Sequence, residues 1–282
     1  MHTILDAIGN TPLLSINGIK VKLEYMNPSG SIKDRIARHI IEKAEKQGLI
    51  KKRVVEATSG NSGIAFAMVC AVKGYEMVVI MPRGFSKERK KILKYFGAKI
   101  IETSKRKGVM GAFEKEKKME GYKVNQFGNK WNVSAHYQTG REILKQVKKV
   151  DAVVAGVGTG GTLIGVGKVI RKKFPKCKLY ALEPEECSVM TGGSCKRHGI
   201  EGIGDGFVPD IIEKNDDMID GVLTVKTEDA VRMSRKLAKK GFFVGISSGA
   251  NMLGALRVKK KHKNVVTFFP DSGDRYLSEL FR

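Results

Sequence analysis

Residues 151–173 read DAVVAGVGTGGTLIGVGKVIRKK, and this stretch contains three local patterns in the order that builds an α/β sheet. The valine-rich run 152–155 predicts a buried strand, the glycines of 156–161 predict a tight turn, and 162–173 has the apolar spacing of a helix. A strand that leads directly into a helix is the repeating unit of parallel sheets, and ligands bind at the turns between the two.

The rest of the chain repeats this alternation. Short apolar runs predict further strands at 54–57, 77–81, 99–102, 179–183 and 265–269. Helical spacing predicts further helices at 32–47, 63–73, 86–95, 110–119, 138–148 and 227–240. The sequence therefore predicts the α/β class, with mostly parallel sheets flanked by helices.

The glycine turn 156–161 predicts a phosphate-binding site. Its glycines fit the G-x-G-x-x-G pattern, and Glu183 lies about 20 residues further on, at the end of the next predicted strand, as in dinucleotide-binding folds. The hydroxyls of Thr159 and Thr162 suit a single terminal phosphate equally well. Taken alone, the turn is compatible with a dinucleotide and with a ligand that has a single terminal phosphate.

Residues 27–35, NPSGSIKDR, place a lysine at the start of a predicted helix. Ser31 and Asp34 have the spacing of a capping box. Lys33 then lies in the first helical turn, where the positive end of the helix dipole eases loss of the amine proton. Such a lysine is suited to Schiff-base chemistry. The alternative is that Lys33 is an ordinary solvated lysine beside Asp34, without a chemical role.

Residues 58–63, TSGNSG, follow one predicted strand and precede an apolar helix. Consecutive small polar residues at a helix N-terminus offer several hydrogen-bond donors, which suits an anion of the size of a carboxylate. Two later segments, 245–250 (GISSGA) and 269–276 (FPDSGDRY), have similar chemistry, but each alone is compatible with an ordinary turn.

Composition excludes several other classes of protein. The 282 residues include 52 Lys and Arg against 29 Asp and Glu, a net charge of +23, which attracts anions. Because the basic residues are scattered over many elements without interleaved aromatic residues, we expect no nucleic-acid function.

No apolar run reaches the roughly 18 residues of a membrane span, and the first residues lack the pattern of a signal peptide, so we expect a cytoplasmic protein without a membrane segment. The cysteines lack zinc-binding spacing, and we therefore expect no metal site and reduced thiols at Cys70, Cys177, Cys187 and Cys195.

In this order, the segments together resemble the fold-type-II pyridoxal-phosphate (PLP) enzymes, specifically the branch of the cysteine synthases and cystathionine β-synthases. The resemblance extends over essentially the whole chain, from residue 8 to residue 277. It rests on the segments NPSGSIKDR, TSGNSG, GVGTGGT, GIGDGF (202–207), GISSGA and PDSGDRY, and this set is far more specific than any one glycine turn.

The resemblance implies a role for each matching residue. Lys33 corresponds to the lysine that holds PLP and moves the α-proton, and Asn61 to the amide that bonds the ring hydroxyl. Ser272 corresponds to the hydroxyl that faces the pyridine nitrogen, with Asp271 as the alternative. The phosphate is held by Gly158, Thr159, Gly160, Gly161 and Thr162. The substrate carboxylate is held by Thr58, Ser59, Gly60, Ser62 and Gln126.

The activity that the resemblance implies is the formation of L-cysteine from O-acetylserine and sulfide, a β-replacement. O-phosphoserine as the donor and the cystathionine β-synthase reaction are alternatives with the same mechanism, and an NAD-dependent oxidoreductase is a distant one. By the same resemblance, the segment 202–207 lies near the mouth of the active site, and Asp205 at its centre would repel a phosphate dianion. We therefore expect acetate rather than phosphate as the leaving group.

The resemblance also implies how the chain is organised. Residues 27–130 would form a smaller, mobile lobe with the carboxylate turn, and residues 1–26 plus 131–282 a larger lobe with the phosphate turn. It further implies a homodimer and, as a possible partner, the tail of a serine acetyltransferase.

Overall fold

The computed structural model describes residues 2–58, 60–84 and 87–277, apart from the side chain of Lys87. Within these ranges, the strands form two sheets. The strands are β1 (Leu13–Ile16), β2 (Ile19–Leu23), β3 (Arg53–Ala57), β4 (Glu76–Pro82), β5 (Lys99–Thr103), β6 (Tyr122–Lys123), β7 (Ala152–Gly156), β8 (Lys178–Pro184), β9 (Gly221–Val225) and β10 (Val265–Phe269).

The larger sheet has the strand order β1-β2-β10-β7-β8-β9. Its strands β1 and β2 pair antiparallel as a hairpin, and the other pairs are parallel. The smaller sheet, β5-β4-β3-β6, is parallel throughout. In a parallel sheet the loops after the strands lie at one edge, so this arrangement gathers the predicted turns at the carboxyl ends of the strands.

Helices cover the faces of both sheets, and this explains why the central strands are apolar on both sides. The helices are α1 (Lys33–Lys46), α2 (Asn61–Lys73), α3 (Lys87–Tyr95), α4 (Gly108–Lys117), α5 (Lys130–Gln146), α6 (Gly161–Lys173), α7 (Asp210–Glu213), α8 (Thr227–Ala238) and α9 (Ile246–Lys259). Residues 62–70 of α2 are buried without interruption. No described helix has both the length and the apolar character that crossing a membrane requires.

The predicted α/β class is confirmed, and every predicted strand and helix has a counterpart. The largest error in a boundary is in α5, which begins at Lys130 rather than at 138. The hairpin of β1 and β2 was missed, although its turn, Asn17-Gly18, is the dipeptide that most favours such a hairpin. Both turn residues have positive φ angles, 51° and 73°.

The expectation of free thiols is wrong for two of the four cysteines. Cys187 and Cys195 form a disulfide, because an antiparallel bridge between these two residues brings their backbones together. Cys70 and Cys177 are free and buried, and burial raises the pKa of each thiol to about 12.

Candidate active site

A cleft lies where the turns of the two sheets meet. Its walls come from the turns after β3 and β7, the start of α1, the segment 198–205 and the residues after β10. Lys33, Asn61 and Thr159 all line it, although they are far apart in the chain. The structure therefore brings together the segments on which the sequence resemblance depends.

Lys33 is the first residue of α1 and lines this cleft. Its pKa is lowered because burial disfavours the ammonium form, while the carboxylates of Asp205 and Asp271 oppose that effect. The amine is therefore easier to deprotonate than an exposed lysine, and burial is the main cause rather than the helix dipole that the sequence suggested.

The capping box predicted for α1 does not form. Ile32 occupies the cap position without a side-chain hydrogen bond. Asp34 instead accepts hydrogen bonds from the backbone N–H of Ser29, at 2.7 Å, and from its hydroxyl. Burial raises the pKa of Asp34 to about 6 although these bonds oppose the shift. Asp34 thus shapes the loop before Lys33 rather than the end of the helix.

The glycine turn after β7 is built to receive a small anion. α6 begins at Gly161, and its cap residue, Gly160, has no side chain that could bond the first N–H groups. A Cβ atom on Gly158 would lie 2.4 Å from the carbonyl oxygen of Gly202, and one on Gly161 would lie 1.9 Å from Oδ1 of Asn132. The turn therefore exists in this shape only with glycines, whose backbone N–H groups can bind a phosphate.

Thr159 adds a hydroxyl donor to this turn. Its Oγ1 accepts hydrogen bonds from Nδ2 of Asn132, at 2.9 Å, and from the N–H of Gly161, at 3.4 Å. Since both acceptor positions are filled, the hydroxyl hydrogen is the part left for a ligand. Gly158, Thr159, Gly160 and Thr162 line the cleft, so the donor set fits the phosphate of PLP.

Glu183 does not act as the acidic residue of a dinucleotide site. Its carboxylate is buried and accepts hydrogen bonds from the backbone N–H groups of Met190, at 2.9 Å, and Thr191, at 3.1 Å. The Thr191 hydroxyl donates a further bond at 2.8 Å. These bonds engage the carboxylate within its own loop, which leaves the G-x-G-x-x-G pattern without its ribose-binding partner.

The turn 58–63 lies at the N-terminus of α2, which begins at Asn61. Thr58, Gly60, Ser62 and Gln126, which the resemblance assigns to the substrate carboxylate, line the cleft, and Ser59 lies outside the described residues. The Ser62 hydroxyl donates to Oε1 of Gln126 at 2.6 Å, which fixes the side chain of Gln126 against the turn. This wall presents backbone and hydroxyl donors to the cleft.

Asn61 links the two sides of the cleft. Its Nδ2 donates to Oδ2 of Asp271 at 2.6 Å, and its Oδ1 accepts from Arg275. The Tyr276 hydroxyl donates to the same Oδ2 of Asp271. Burial raises the pKa of Asp271, while the bond from Tyr276 and the charge of Arg275 oppose the shift. One oxygen of Asp271 is therefore engaged by neighbouring side chains.

The structure does not bring Ser272 into the cleft. Its backbone N–H donates to the carbonyl of Gly30 at 3.2 Å, in the loop before α1. Ser247, in the first turn of α9, is buried and does line the cleft. It belongs to the GISSGA segment, which the sequence interpretation noted but to which it assigned no role.

The sequence interpretation also missed three residues that line the cleft, His198 and Glu201 between α6 and α7 and Arg89 at the start of α3. Asp205, which it expected near the substrate, lines the cleft as well. Arg89 forms an ion pair with Glu201 and lies over the ring of Tyr276, 5.1 Å from the ring centroid. The GIGDGF motif indicated this segment, but Arg89 has no motif of its own.

Comparisons with known proteins agree with the family resemblance that the sequence shows. The profile of the family described as "Pyridoxal-phosphate dependent enzyme" matches residues 4–271. The cysteine synthase of Staphylococcus aureus is 44% identical over 299 positions, covering 99% of this chain and 96% of the relative.

Two solved structures resemble the whole fold. The cysteine synthase of Entamoeba histolytica has a TM-score of 0.94 at 40% identity, covering 100% of this chain and 90% of that one. A hydrogen sulfide-producing enzyme from Fusobacterium nucleatum has a TM-score of 0.93 at 43% identity, covering 98% of this chain and 90% of that one.

The chain therefore belongs to the pyridoxal-phosphate-dependent enzymes. Within that family it is an enzyme of the cysteine synthase type, and its cofactor is pyridoxal phosphate. The alternative of an NAD-dependent oxidoreductase is therefore wrong.

Proposed function

We propose that the chain forms L-cysteine from O-acetylserine and sulfide, with Lys33 as the residue that holds PLP and moves the α-proton. The observation that supports this most directly is a half-buried lysine in the same cleft as a helix N-terminus built from glycines. The first fits the aldehyde of PLP and the second fits its phosphate.

Bound PLP withdraws electrons from the α-carbon of an amino acid. Lys33, as a neutral amine, takes the proton from that carbon and returns it as an ammonium, and its lowered pKa makes both forms accessible. Gly158 to Thr162 would hold the phosphate, and Asn61 would bond the ring hydroxyl. This division leaves the wall at the start of α2 for the amino acid.

Thr58, Gly60, Ser62 and Gln126 hold the substrate carboxylate, together with Ser59, which lies outside the described residues. The support is the helix N-terminus of α2, where backbone N–H groups and hydroxyls converge. Gripping the carboxylate there fixes the direction of the α-carbon hydrogen, so that Lys33 can reach it.

For the pyridine nitrogen, Ser247 replaces Ser272 in our proposal. Ser247 lines the cleft, whereas Ser272 does not, and Asp271 is held by Asn61 and Tyr276. A hydroxyl partner does not force the ring nitrogen to carry a proton. This suits elimination and replacement at the β-carbon more than transamination.

Acetate is the leaving group that the cleft favours. Glu201 and Asp205 both line it, and the charge of Arg89 is paired with Glu201. A phosphate dianion would need one or two unpaired arginines in this position. We expect kcat/KM for O-acetylserine to exceed that for O-phosphoserine, and a tenfold preference for O-phosphoserine would reject this part of the proposal.

The test of the whole proposal compares Lys33→Ala with Lys46→Ala, a change at the exposed far end of the same helix. Cysteine formation from O-acetylserine and sulfide should fall by about 10²–10⁴-fold in Lys33→Ala, the usual contribution of a general acid–base group. The Lys46→Ala variant should keep the parent rate. Normal turnover by Lys33→Ala would refute the assignment.

The organisation of the molecule is proposed on the same resemblance. Residues 27–130 would act as the mobile lobe against 1–26 plus 131–282, and two chains would form a homodimer, with a mass in solution of twice 31.1 kDa. A serine acetyltransferase tail, ending in a carboxylate, would compete with the amino acid for the cleft. A cytoplasmic location stays a prediction.

A further inference from the structure

The disulfide between Cys187 and Cys195 has no part in the proposed reaction, yet it lies next to a segment that lines the cleft. It joins the stretch that follows β8 to the residue three positions before His198, the first cleft residue of this segment. Cys187 is buried, with 0% of its surface exposed, whereas Cys195 is exposed. The Cys195 side of the bond is therefore the side that a reagent in solution can approach.

The four cysteines of the chain differ in how they can react with sulfur nucleophiles. Cys70 and Cys177 are free but buried, and burial raises the pKa of each thiol to about 12, so neither readily forms a reactive thiolate. A disulfide needs no thiolate of its own, because the attacking anion comes from outside, and exposed disulfides exchange most readily. The pair 187–195 is therefore the position where such a reaction is favoured.

The disulfide fastens residues 196–206, which we call the mouth segment, to the end of β8. The N–H of Cys187 donates to the carbonyl of Pro184, the last residue of β8, at 3.0 Å. The N–H of Lys196 donates to the carbonyl of Glu186 at 2.8 Å. The disulfide adds a covalent bond between the same two stretches, so its loss leaves their connection to weaker, reversible hydrogen bonds.

The disulfide also contacts the far end of the mouth segment. Sγ of Cys195 lies 3.5 Å from the position that a Cβ atom on Gly206 would occupy. Gly206 directly follows Asp205, which lines the cleft. Nε2 of His198, another residue of the cleft, lies 2.8 Å from the carbonyl oxygen of Gly204. A displacement of the Cys195 sulfur is therefore transmitted to residues that line the cleft.

The surroundings of Cys195 suit a nucleophile that is a small anion. Lys196 and Arg197 follow it directly in the chain, and both are exposed. Two cations beside the exposed sulfur raise the local concentration of anions and stabilise a negative charge on that sulfur. Hydrosulfide is such an anion, and it is the sulfur donor of the proposed function. The enzyme therefore meets at this disulfide the same nucleophile that it uses in the cleft.

We infer that the Cys187–Cys195 disulfide is a second site of reaction with hydrosulfide, and that opening this bond releases the mouth segment. The sulfur of hydrosulfide attacks Sγ of Cys195, the S–S bond breaks, and its electron pair goes to Sγ of Cys187. The S–H proton of the attacking sulfur then passes to Cys187. The products are a persulfide anion on the exposed Cys195 and a neutral thiol on the buried Cys187.

The step is balanced, with one negative charge on each side. The sulfur of hydrosulfide is oxidised to the persulfide level, and Cys187 is reduced to a thiol. A persulfide is a stronger acid than a thiol, so the charge stays on the exposed side, while burial disfavours a charge on Cys187. In the reverse step Cys187 attacks Sγ of Cys195 and hydrosulfide leaves. The inference goes beyond the proposed function, because the step uses its sulfur donor but neither Lys33 nor PLP.

Trapping of the opened bond tests the site itself. The holoenzyme, purified in air without a reductant, is incubated with sodium sulfide, unfolded in urea with excess iodoacetamide, and analysed by peptide mass spectrometry. We expect an alkylated persulfide at Cys195 and an alkylated thiol at Cys187, whereas protein without sulfide gives the two peptides linked. Alkylation of Cys70 and Cys177 in both samples is the internal control.

The same analysis shows whether the reaction is reversible. Removal of sulfide by gel filtration before alkylation should restore the linked peptides. Linked peptides that sulfide leaves intact, cysteines that are already free in the untreated protein, or the additional sulfur on Cys187 instead of Cys195 would each overturn the inference.

A second measurement tests the release of the mouth segment. Rapid mixing with O-acetylserine, without sulfide, should change the visible spectrum of the bound PLP. The O-acetylserine concentration that gives half of the maximal rate should be at least threefold higher in Cys195→Ser, which cannot form the bond, than in the parent. Ser194→Ala, a change at an exposed neighbour that keeps the bond, is the matched control and should equal the parent.

The outcomes separate this inference from the proposed function. A Cys195→Ser variant with the half-saturating concentration of the parent would overturn the release of the mouth segment. A parent whose PLP spectrum does not respond to O-acetylserine would contradict the proposed function instead, and peptide mapping of the parent, which needs no variant and no turnover, would still decide the reaction at the disulfide.

Discussion

Among the described residues, burial lowers the pKa of two lysines, Lys22 and Lys33, and their surroundings decide which of them can react. Nζ of Lys22 lies 2.8 Å from Glu142 and donates to Gln146 at 3.0 Å, so its amine is held by neighbouring side chains. Lys33 has no such bond within the described residues and opens into the cleft. Burial lowers the pKa of both, and only Lys33 is also accessible to a ligand.

Ser247 and Ser272 are the two candidates for the residue that bonds the pyridine nitrogen of PLP, and their different positions give a prediction. Ser247→Ala should weaken PLP binding about two- to tenfold, the effect of losing one neutral hydrogen bond, and should change the visible spectrum of the cofactor. Ser272→Ala should leave both nearly unchanged, because Ser272 does not line the cleft. PLP titration of the two apo-proteins measures the difference, and the opposite ranking would restore Ser272.

The sequence was informative where a motif is continuous. Lys33 and the turn 156–161 each combine a strand or loop, small residues and a helix start within one segment, so the local pattern was sufficient. The choice between Ser247 and Ser272 was not local, since both follow turns near the cleft and the packing of α9 decides which one faces it. The position of Arg89 likewise depends on contacts between distant segments.

At the scale of elements, the turn between β7 and α6 couples two loops. Glycine is required at 158 because a Cβ atom would lie 2.4 Å from the backbone oxygen of Gly202. At 156 the obstacle is the side chain of Ile203, at 2.9 Å, which can rotate. The phosphate turn and the GIGDGF segment are thus in contact through backbone atoms, and a change in one displaces the other.

Gly158→Ala should therefore cost about 1–3 kcal/mol in PLP binding, roughly 5- to 150-fold in affinity, as an overpacked position does. Gly156→Ala should cost less, because a side chain can give way where a backbone carbonyl cannot. Titration of each apo-protein with PLP, with circular dichroism as a check of the fold, decides the ranking. Equal effects would show that the contact between the loops is not the cause.

The positions of the strands within the two sheets explain why the central strands were easier to predict than the hairpin. β3, β4, β7, β8 and β10 are buried central or near-central strands, and burial on both faces makes each a continuous apolar run in the sequence. β1 is an edge strand with two exposed residues in the pattern, and β6 has only two residues. Both segments are too short to show the period of a strand in the sequence without their neighbours.

For the whole molecule, a buried network of charges joins elements that are distant in the chain. Arg35 of α1 forms hydrogen-bonded ion pairs with Glu24, at 2.6 Å, and with Glu142 of α5, at 2.8 Å. Lys22 of β2 bonds Glu142 as well. Because every member is buried, removing one leaves its partners as uncompensated charges.

Arg35→Ala should accordingly lower the free energy of unfolding by about 3–5 kcal/mol. Arg232 is a matched control, since its ion pairs with Glu228 and Asp229 are on the surface. Arg232→Ala should cost less than about 1 kcal/mol. Urea unfolding of the PLP-free proteins measures both values, and similar losses would show that the buried network contributes little.

The network also predicts a dependence on pH. Burial alone would raise the pKa of Glu142, but the hydrogen bond and charge of Arg35 and the bond from Lys22 lower it to about 2. A carboxyl whose folded pKa lies below its unfolded value of about 4.3 stabilises the fold above that pH, and this contribution is lost as the pH falls toward 2.

Glu142→Gln should therefore lose stability less steeply than the parent between about pH 5 and 3, with the exposed Glu228→Gln as the control. Urea unfolding at several pH values gives the slopes. A parent and a Glu142→Gln variant with parallel slopes would remove Glu142 from the explanation of acid stability.

The central claim is that this α/β fold places one reactive lysine, Lys33, against the cofactor PLP. Reduction of the purified holoenzyme with borohydride, followed by peptide mapping, tests it most directly, because reduction makes the bond between PLP and its lysine permanent. The account predicts the pyridoxyl group on the peptide that contains Lys33, with Lys22 unmodified. A pyridoxyl group on any other lysine, or none on a protein that contains PLP, would contradict it.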